Sequence, residues 1–186
     1  MKYFLTIALI CITFSAEAQK TSVEKSLYGV QTGLLGIWGY KETKLSNSIA
    51  LRSEVGFDSG IWGGSFYEKT GFVMAPVFTF EPRFYYNLDK RALNSKNTKN
   101  NSGNFLSLQT SFHPDWFVIS NYDHVGIISN VSMIPTWGIR RQIGKHFNYE
   151  AGIGLGYRYL FSKNAGYAEN ESEAALNIDL RIGYTL

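Results

Sequence analysis

The chain has 186 residues, a formal net charge of +3, 45% hydrophobic and 16% aromatic residues, and one cysteine, Cys11. The charge excess is too mild to argue for a nucleic-acid partner. After the first residues, no run approaches the roughly 18 consecutive apolar residues that a membrane-crossing helix needs, which still leaves room for a β-barrel, whose segments are individually short and mixed.

The chain opens MKYFLTIALICITFSAEAQ. Lys2 supplies a positive start, Tyr3 to Phe14 an apolar run too short to span a bilayer, and Ala16 and Ala18 the small residues read at a cleavage site. Residues 1–18 are therefore expected to be an export signal, and residues 19–186 a single domain. Cys11 leaves with the signal, so the mature chain is expected to have no disulfide, thiol nucleophile or thiolate metal site.

Strand-like alternation then recurs along the whole chain. In the run Leu27 to Lys41, Tyr28, Val30, Thr32, Leu34, Trp38 and Tyr40 read as one face, although Leu35 and Ile37 interrupt the other. Further runs cover Ser48 to Asp58, Val77 to Asn87, Leu106 to Phe112, Asn130 to Arg140, Phe147 to Phe161 and Leu176 to Leu186. Pro82 sits mid-pattern, where its missing N–H predicts a bulge. Turn-rich pieces separate the runs at Ser59 to Thr70, Leu88 to Gly103, Pro114 to Val125 and Ser162 to Ser172.

Two arrangements share this pattern: a soluble exported sandwich or lipocalin-like barrel with its apolar faces inward, and a membrane barrel with them outward. The polar faces favour the second. They carry Arg52, Glu54, Glu81, Arg83, Arg140, Glu150, Arg158, Asp179 and Arg181, a near-balanced set with almost no lysine. Such a set suits a narrow interior, where charges must pair and the planar fork of arginine pairs best. Gly152, Gly154 and Gly156 leave room on that same face. Aromatic residues gather toward the ends of the apolar faces, as in the girdles of membrane barrels: Trp38, Tyr40, Tyr86, Trp137, Phe147, Tyr149, Tyr157 to Phe161 and Tyr184. The expected fold is all-β, an antiparallel up-and-down transmembrane β-barrel. Seven runs are clear and an even count of eight is expected, the missing strand lying before Leu27, within Trp116 to Tyr122, or in a split of the first long run.

The final DLRIGYTL resembles the C-terminal insertion signal of outer-membrane β-barrel proteins, although Leu186 stands where those chains usually end in Phe or Trp. Together with EPRFYYNLDKR…NNSGNFLSL and GKHFNYEAGIGLGYRY, it makes the chain similar to the small eight-stranded outer-membrane barrels of Gram-negative bacteria. That resemblance implies an outer-membrane location, lipid contacts including lipopolysaccharide, and handling by the barrel-assembly machinery through the last strand. It implies no particular activity, because such barrels serve as adhesins, structural proteins and lipid-modifying enzymes alike.

The chemistry expected is modest. A lumen filled by the nine charged residues leaves no diffusive channel. No histidine pair has metal-ligand spacing and no cofactor motif stands before a helix, so no metal or cofactor is expected. Ser111 and His113 share a face, with Asp115 or Asp123 placed to orient the imidazole; this keeps a lipid-modifying enzyme open as an alternative. The leading expectation is a non-enzymatic barrel with a structural or surface-interaction role. Its loops carry Trp62, Phe66 and Tyr67 in one and Trp116, Phe117 and Tyr122 in another, either as a binding surface or as rings folded back on the barrel rim. The basic segment Leu88 to Gly103 is either a site for anionic headgroups or a solvated turn.

Overall fold

The computed structural model describes residues 21–34 and 36–186, so the expected signal, residues 1–18, lies outside the described residues. The strands are β1 (Ser26–Gly33), β2 (Gly36–Lys44), β3 (Ile49–Trp62), β4 (Gly71–Tyr85), β5 (Asn104–His113), β6 (Ile119–Ser120), β7 (Asn130–Ile143), β8 (Phe147–Leu160) and β9 (Glu171–Thr185), with a short helix α1 (Leu88–Leu93) between β4 and β5. All pairings are antiparallel. Consecutive long strands are neighbours, β1 pairs with both β2 and β9, and β3 with β4, so eight strands close into a ring. The two-residue β6 stands outside the ring and pairs only with Val73 and Met74 of β4.

The eighth strand comes from a split of the first long run. Gly33 pairs with Gly36 across a tight turn. Gly36 has φ +149°, and a Cβ there would lie 2.0 Å from the Phe57 carbonyl oxygen, so both backbone and space require glycine. The turn corrects the reading of one continuous face. Cross-strand partners share a side of a sheet, and the sum of paired numbers here is odd, so the inward side passes from odd residues in β1 to even residues in β2. Trp38 and Tyr40, expected on the outer girdle, therefore point into the barrel and are 4% exposed.

Elsewhere the faces fall as the alternation predicts. The outer wall carries Val30, Val55, Phe80, Leu106, Met133, Leu155, Leu176 and Ile182, all exposed, with Leu155 at 69% and Ile182 at 62%. The inside carries Arg52, Arg83 and Arg140 at no more than 1% exposure. This is the inverse of a soluble domain, where large apolar groups fill the interior and charged groups are almost never fully buried unless paired.

Pro82 makes no bulge. The pairs Phe80↔Thr110 and Arg83↔Ser107 keep one register on either side of it, so no residue is inserted and the β4–β5 ladder merely skips a step, while Pro82 still pairs with Leu51 of β3. Pro135 interrupts the β7–β8 ladder in the same way, between Met133↔Tyr157 and Thr136↔Gly154. Strands β3 and β4 also run further than expected, as a hairpin to Trp62 and Gly71, which shortens the connection between them to residues 63–70.

The two ends of the barrel differ. One, the terminal end, gathers residues 21–25, Leu186 and the segment 86–103. Val23, Ala50, Tyr85, Leu88 and Phe105 form a small apolar core there. The Val23 N–H donates to the Asn47 carbonyl at 2.9 Å and the Glu24 N–H to Asn101 Oδ1 at 2.8 Å. The Leu88 to Gly103 segment is thus partly a plug: Leu88, Asn101 and Ser102 are buried, while Lys90, Lys96 and Lys99 remain exposed. The other, the loop end, carries the long β3–β4 hairpin, the β5–β7 connection with β6, and the β8–β9 connection.

Candidate functional site: a paired charge network beneath an open vestibule

In the terminal half of the lumen, inward positions of all eight ring strands converge. Glu150 of β8 is the hub. Its Oε1 accepts from Arg140 at 2.8 Å, Gln31 at 3.0 Å and Arg52 at 3.2 Å, and its Oε2 from Arg83 at 3.0 Å. Glu42 of β2 is a second hub, bridging Arg140 at 2.8 Å and Arg52 at 3.1 Å, with Asn101 donating to its other oxygen at 2.8 Å and the Tyr85 hydroxyl at 3.2 Å. Glu54 takes Arg181 through both oxygens at 3.0 Å and the Nε of Arg52. Glu81 binds Arg83 at 2.8 Å and Ser107 at 2.6 Å, and Asp179 binds Arg181 at 2.7 Å.

Aromatic faces flank three of the arginines, while Arg83 Nε and Arg140 Nε are buried without a hydrogen-bond partner among the described residues. Arg52 lies 4.0 Å from the centroid of Tyr40, Arg181 4.0 Å from that of Trp38, and Arg83 4.2 Å from that of Phe105. A guanidinium that gives its edge to carboxylates and its face to a ring loses water without losing partners. That is the use β2 makes of its inward aromatics.

Of the nine charged residues expected in the lumen, eight lie in this network. Arg158 does not. It has the inward parity but sits near the loop end, half-exposed, paired at 3.1 Å with the exposed Glu173. The alternation fixed its face, not its depth. Sequence reading also missed Glu42, Gln31, Asn148 and Tyr85. Glu42 and its neighbours would have emerged had Gly33 and Gly36 been read as bracketing a turn.

Above the network the lumen is not filled. A vestibule of about 430 Å³ opens toward the loop end, lined by Trp38, Asp58, Ser111, His113, Arg158 and Asp179 among others. The expectation of a lumen closed by charge therefore holds for its terminal half only. Asp58 accepts from Trp38 Nε1 at 2.7 Å and from His113 Nε2 at 2.8 Å. The carboxylate that orients His113 is thus Asp58, from β3 on the far side of β4, and not Asp115 or Asp123. The Ser111 hydroxyl is hydrogen-bonded to Thr79 at 2.8 Å.

The loop aromatics divide. Trp116 packs edge-on against Phe78 at 5.8 Å between centroids and Phe117 against Phe57 at 6.1 Å, both on the outer wall. Trp62 lies against Tyr122 at 5.8 Å, and the Tyr122 hydroxyl donates to the Lys69 carbonyl at 2.7 Å. Four of the six rings thus brace the rim. Phe66 and Tyr67 are exposed at the hairpin tip, Phe66 at 98%. Trp116 and Phe117 are exposed as well, at 67% and 51%.

At the terminal end Tyr86, Trp137, Phe147, Tyr149 and Tyr184 stand exposed on the outer wall, with Trp137 Nε1 donating to the Tyr86 hydroxyl at 2.8 Å. Among the described residues, no group of three or more His, Cys, Asp or Glu is placed to hold a metal ion. Compared with family models, curated proteins and solved structures, the chain matches none.

Proposed function

We propose that the chain is an outer-membrane β-barrel of a Gram-negative envelope, with a structural or surface-interaction role exercised at its loop end. The observation that carries this reading is the inverted polarity of the closed ring: an apolar outer wall on all sides and an interior of paired arginines and carboxylates. Soluble monomers rarely expose contiguous apolar patches beyond a few hundred Å². In hydrocarbon the same wall is at home, and closure of the ring leaves no open edge strand around the barrel. The exposed Trp and Tyr residues at the terminal end fit an interfacial belt. On this reading the outer wall meets membrane lipid, including lipopolysaccharide, and β9 is the strand engaged by the barrel-assembly machinery. A lipocalin-like carrier would need an apolar interior, which this lumen does not offer.

Membrane fractionation of the full chain expressed in a Gram-negative host tests the proposal. The expected result is an outer-membrane band that migrates faster unboiled than boiled on a denaturing gel. A soluble periplasmic protein with no heat shift would end it.

The lipid-modifying alternative draws on the meeting of Ser111, His113 and Asp58 in the vestibule. Against it, the Ser111 hydroxyl is engaged by Thr79, whereas a nucleophile needs its base within hydrogen-bond reach. Acyl hydrolysis of outer-membrane lipid that disappears in both Ser111→Ala and His113→Ala would establish it instead.

A further inference from the structure

The vestibule contains one carboxylate unlike the others. Glu42, Glu54, Glu81, Glu150 and Asp179 each bind an arginine. Asp58 binds none; its two oxygens take an indole N–H and an imidazole nitrogen, and its side chain is 40% exposed. Two donors on separate strands fix its orientation. It is a carboxylate aimed and held, with no permanent cation against it.

The vestibule wall carries Arg158 and Arg181 beside Asp58 and Asp179, but both arginines are held by carboxylates, and the charge beyond the wall leans negative. In the network, Arg52, Arg83, Arg140 and Arg181 are matched by the five carboxylates just named, Arg158 pairs with Glu173, and Asp58 stands without an arginine. At the mouth, Glu68, Asp115, Asp123, Glu169, Glu171 and Glu173 are exposed against Lys69, Arg158 and Lys163. The opposite end reverses this, with Lys25, Lys44, Lys90, Lys96, Lys99 and Lys145 exposed or half-exposed against Glu24 and Asp89. A cation approaching the loop mouth is drawn inward, because a low-dielectric wall focuses such a field.

We propose that the vestibule binds a small organic cation, a primary alkylammonium, with its nitrogen on Asp58. An ammonium has three N–H donors and no acceptor. Beyond Asp58 it meets the side-chain oxygens of Ser132, Gln109 and Asn177, which line the same cavity. Ile134 and Leu34 on the wall provide apolar surface for the alkyl chain. A volume near 430 Å³ lies at the small end of ligand pockets. A metal ion is a poorer occupant, because no group of three ligating side chains forms among the described residues. The network below closes the way onward, so the cation binds and leaves through the mouth.

The inference rests on the closed ring and its vestibule, and stands whether or not the barrel lies in the outer membrane. It is tested on the mature chain folded in detergent micelles, each preparation checked for a closed barrel by its heat shift. The probe is 1,4-diaminobutane, titrated while the Trp38 Nε1–H resonance is followed by NMR and assigned with Trp38→Phe. A saturating shift is expected, absent with the uncharged 1,4-butanediol. Asp58→Asn should weaken binding roughly tenfold or more, as loss of a charged hydrogen-bond partner does. Asp58→Ala gives the same test should the first variant show no heat shift. Glu169→Gln with Glu171→Gln should weaken it less, and only at low salt. A heat-shifted barrel whose Trp38 signal never moves, or a shift undiminished without the Asp58 carboxylate, overturns the proposal. Failure of the membrane reading would appear separately, in fractionation.

Discussion

The two halves of the lumen handle buried polarity in opposite ways. In the terminal half, every carboxylate touches at least one arginine, and Glu150 touches three. In the loop half, Asp58 has no arginine, Arg158 is half-exposed, and space remains between them. The first arrangement is what desolvation demands, since an ion removed from water costs several kcal/mol unless partners replace that water. The second is affordable only because the mouth is wet. Rigidity and binding capacity are thereby assigned to different ends of one barrel.

The contrast breaks most visibly at the hub. Glu150→Ala leaves Arg52, Arg83 and Arg140 sharing one fewer carboxylate in a buried site, and should cost about 3–5 kcal/mol, the usual range for removing one member of a buried ion pair. Urea unfolding of the barrel in micelles measures it; a loss below about 1 kcal/mol would mean that water reaches the network. Gly36→Ala comes next. Its φ of +149° and the 2.0 Å approach to the Phe57 carbonyl should together cost at least about 1–3 kcal/mol and loosen the β1–β2 hairpin, seen as faster amide exchange there. Ser111→Ala should cost about 1 kcal/mol, because it strands the buried Thr79 hydroxyl. Arg158→Ala, at the wet rim, should change stability by less than about 1 kcal/mol. If Arg158→Ala proved as damaging as Glu150→Ala, the two halves would not differ as described.

Most of the ring was legible because period-two alternation marks a strand and its faces without any tertiary knowledge. Strands β3, β4, β5, β7, β8 and β9 follow from it directly, and so does the inward side of each network residue they carry. The β1–β2 hairpin was hidden because its turn carries Leu34 where a polar turn residue is usual, so the apolar rhythm runs on through it. Trp38 and Tyr40 then looked like girdle residues, whereas arginines give them a reason to be inside. Alternation also says nothing of position along the barrel axis, which is why Arg158 was placed in a network it does not reach. The Asp58–His113 pair joins β3 to β5, strands that are not neighbours, and no local pattern links residues so far apart in the chain.

On the proposed membrane reading, the apolar wall faces lipid and the polar face lines the lumen. Single nitroxide labels at Leu155→Cys on the outer wall and Ser132→Cys in the vestibule test it directly, in barrels reconstituted into bilayers. Cys11 belongs to the expected signal, so each mature variant carries one label. With the wall in lipid, the label at 155 is relaxed by oxygen, which concentrates in hydrocarbon, and the label at 132 by a water-soluble nickel chelate. Strong relaxation of the label at 155 by the nickel chelate, with none by oxygen, would contradict it.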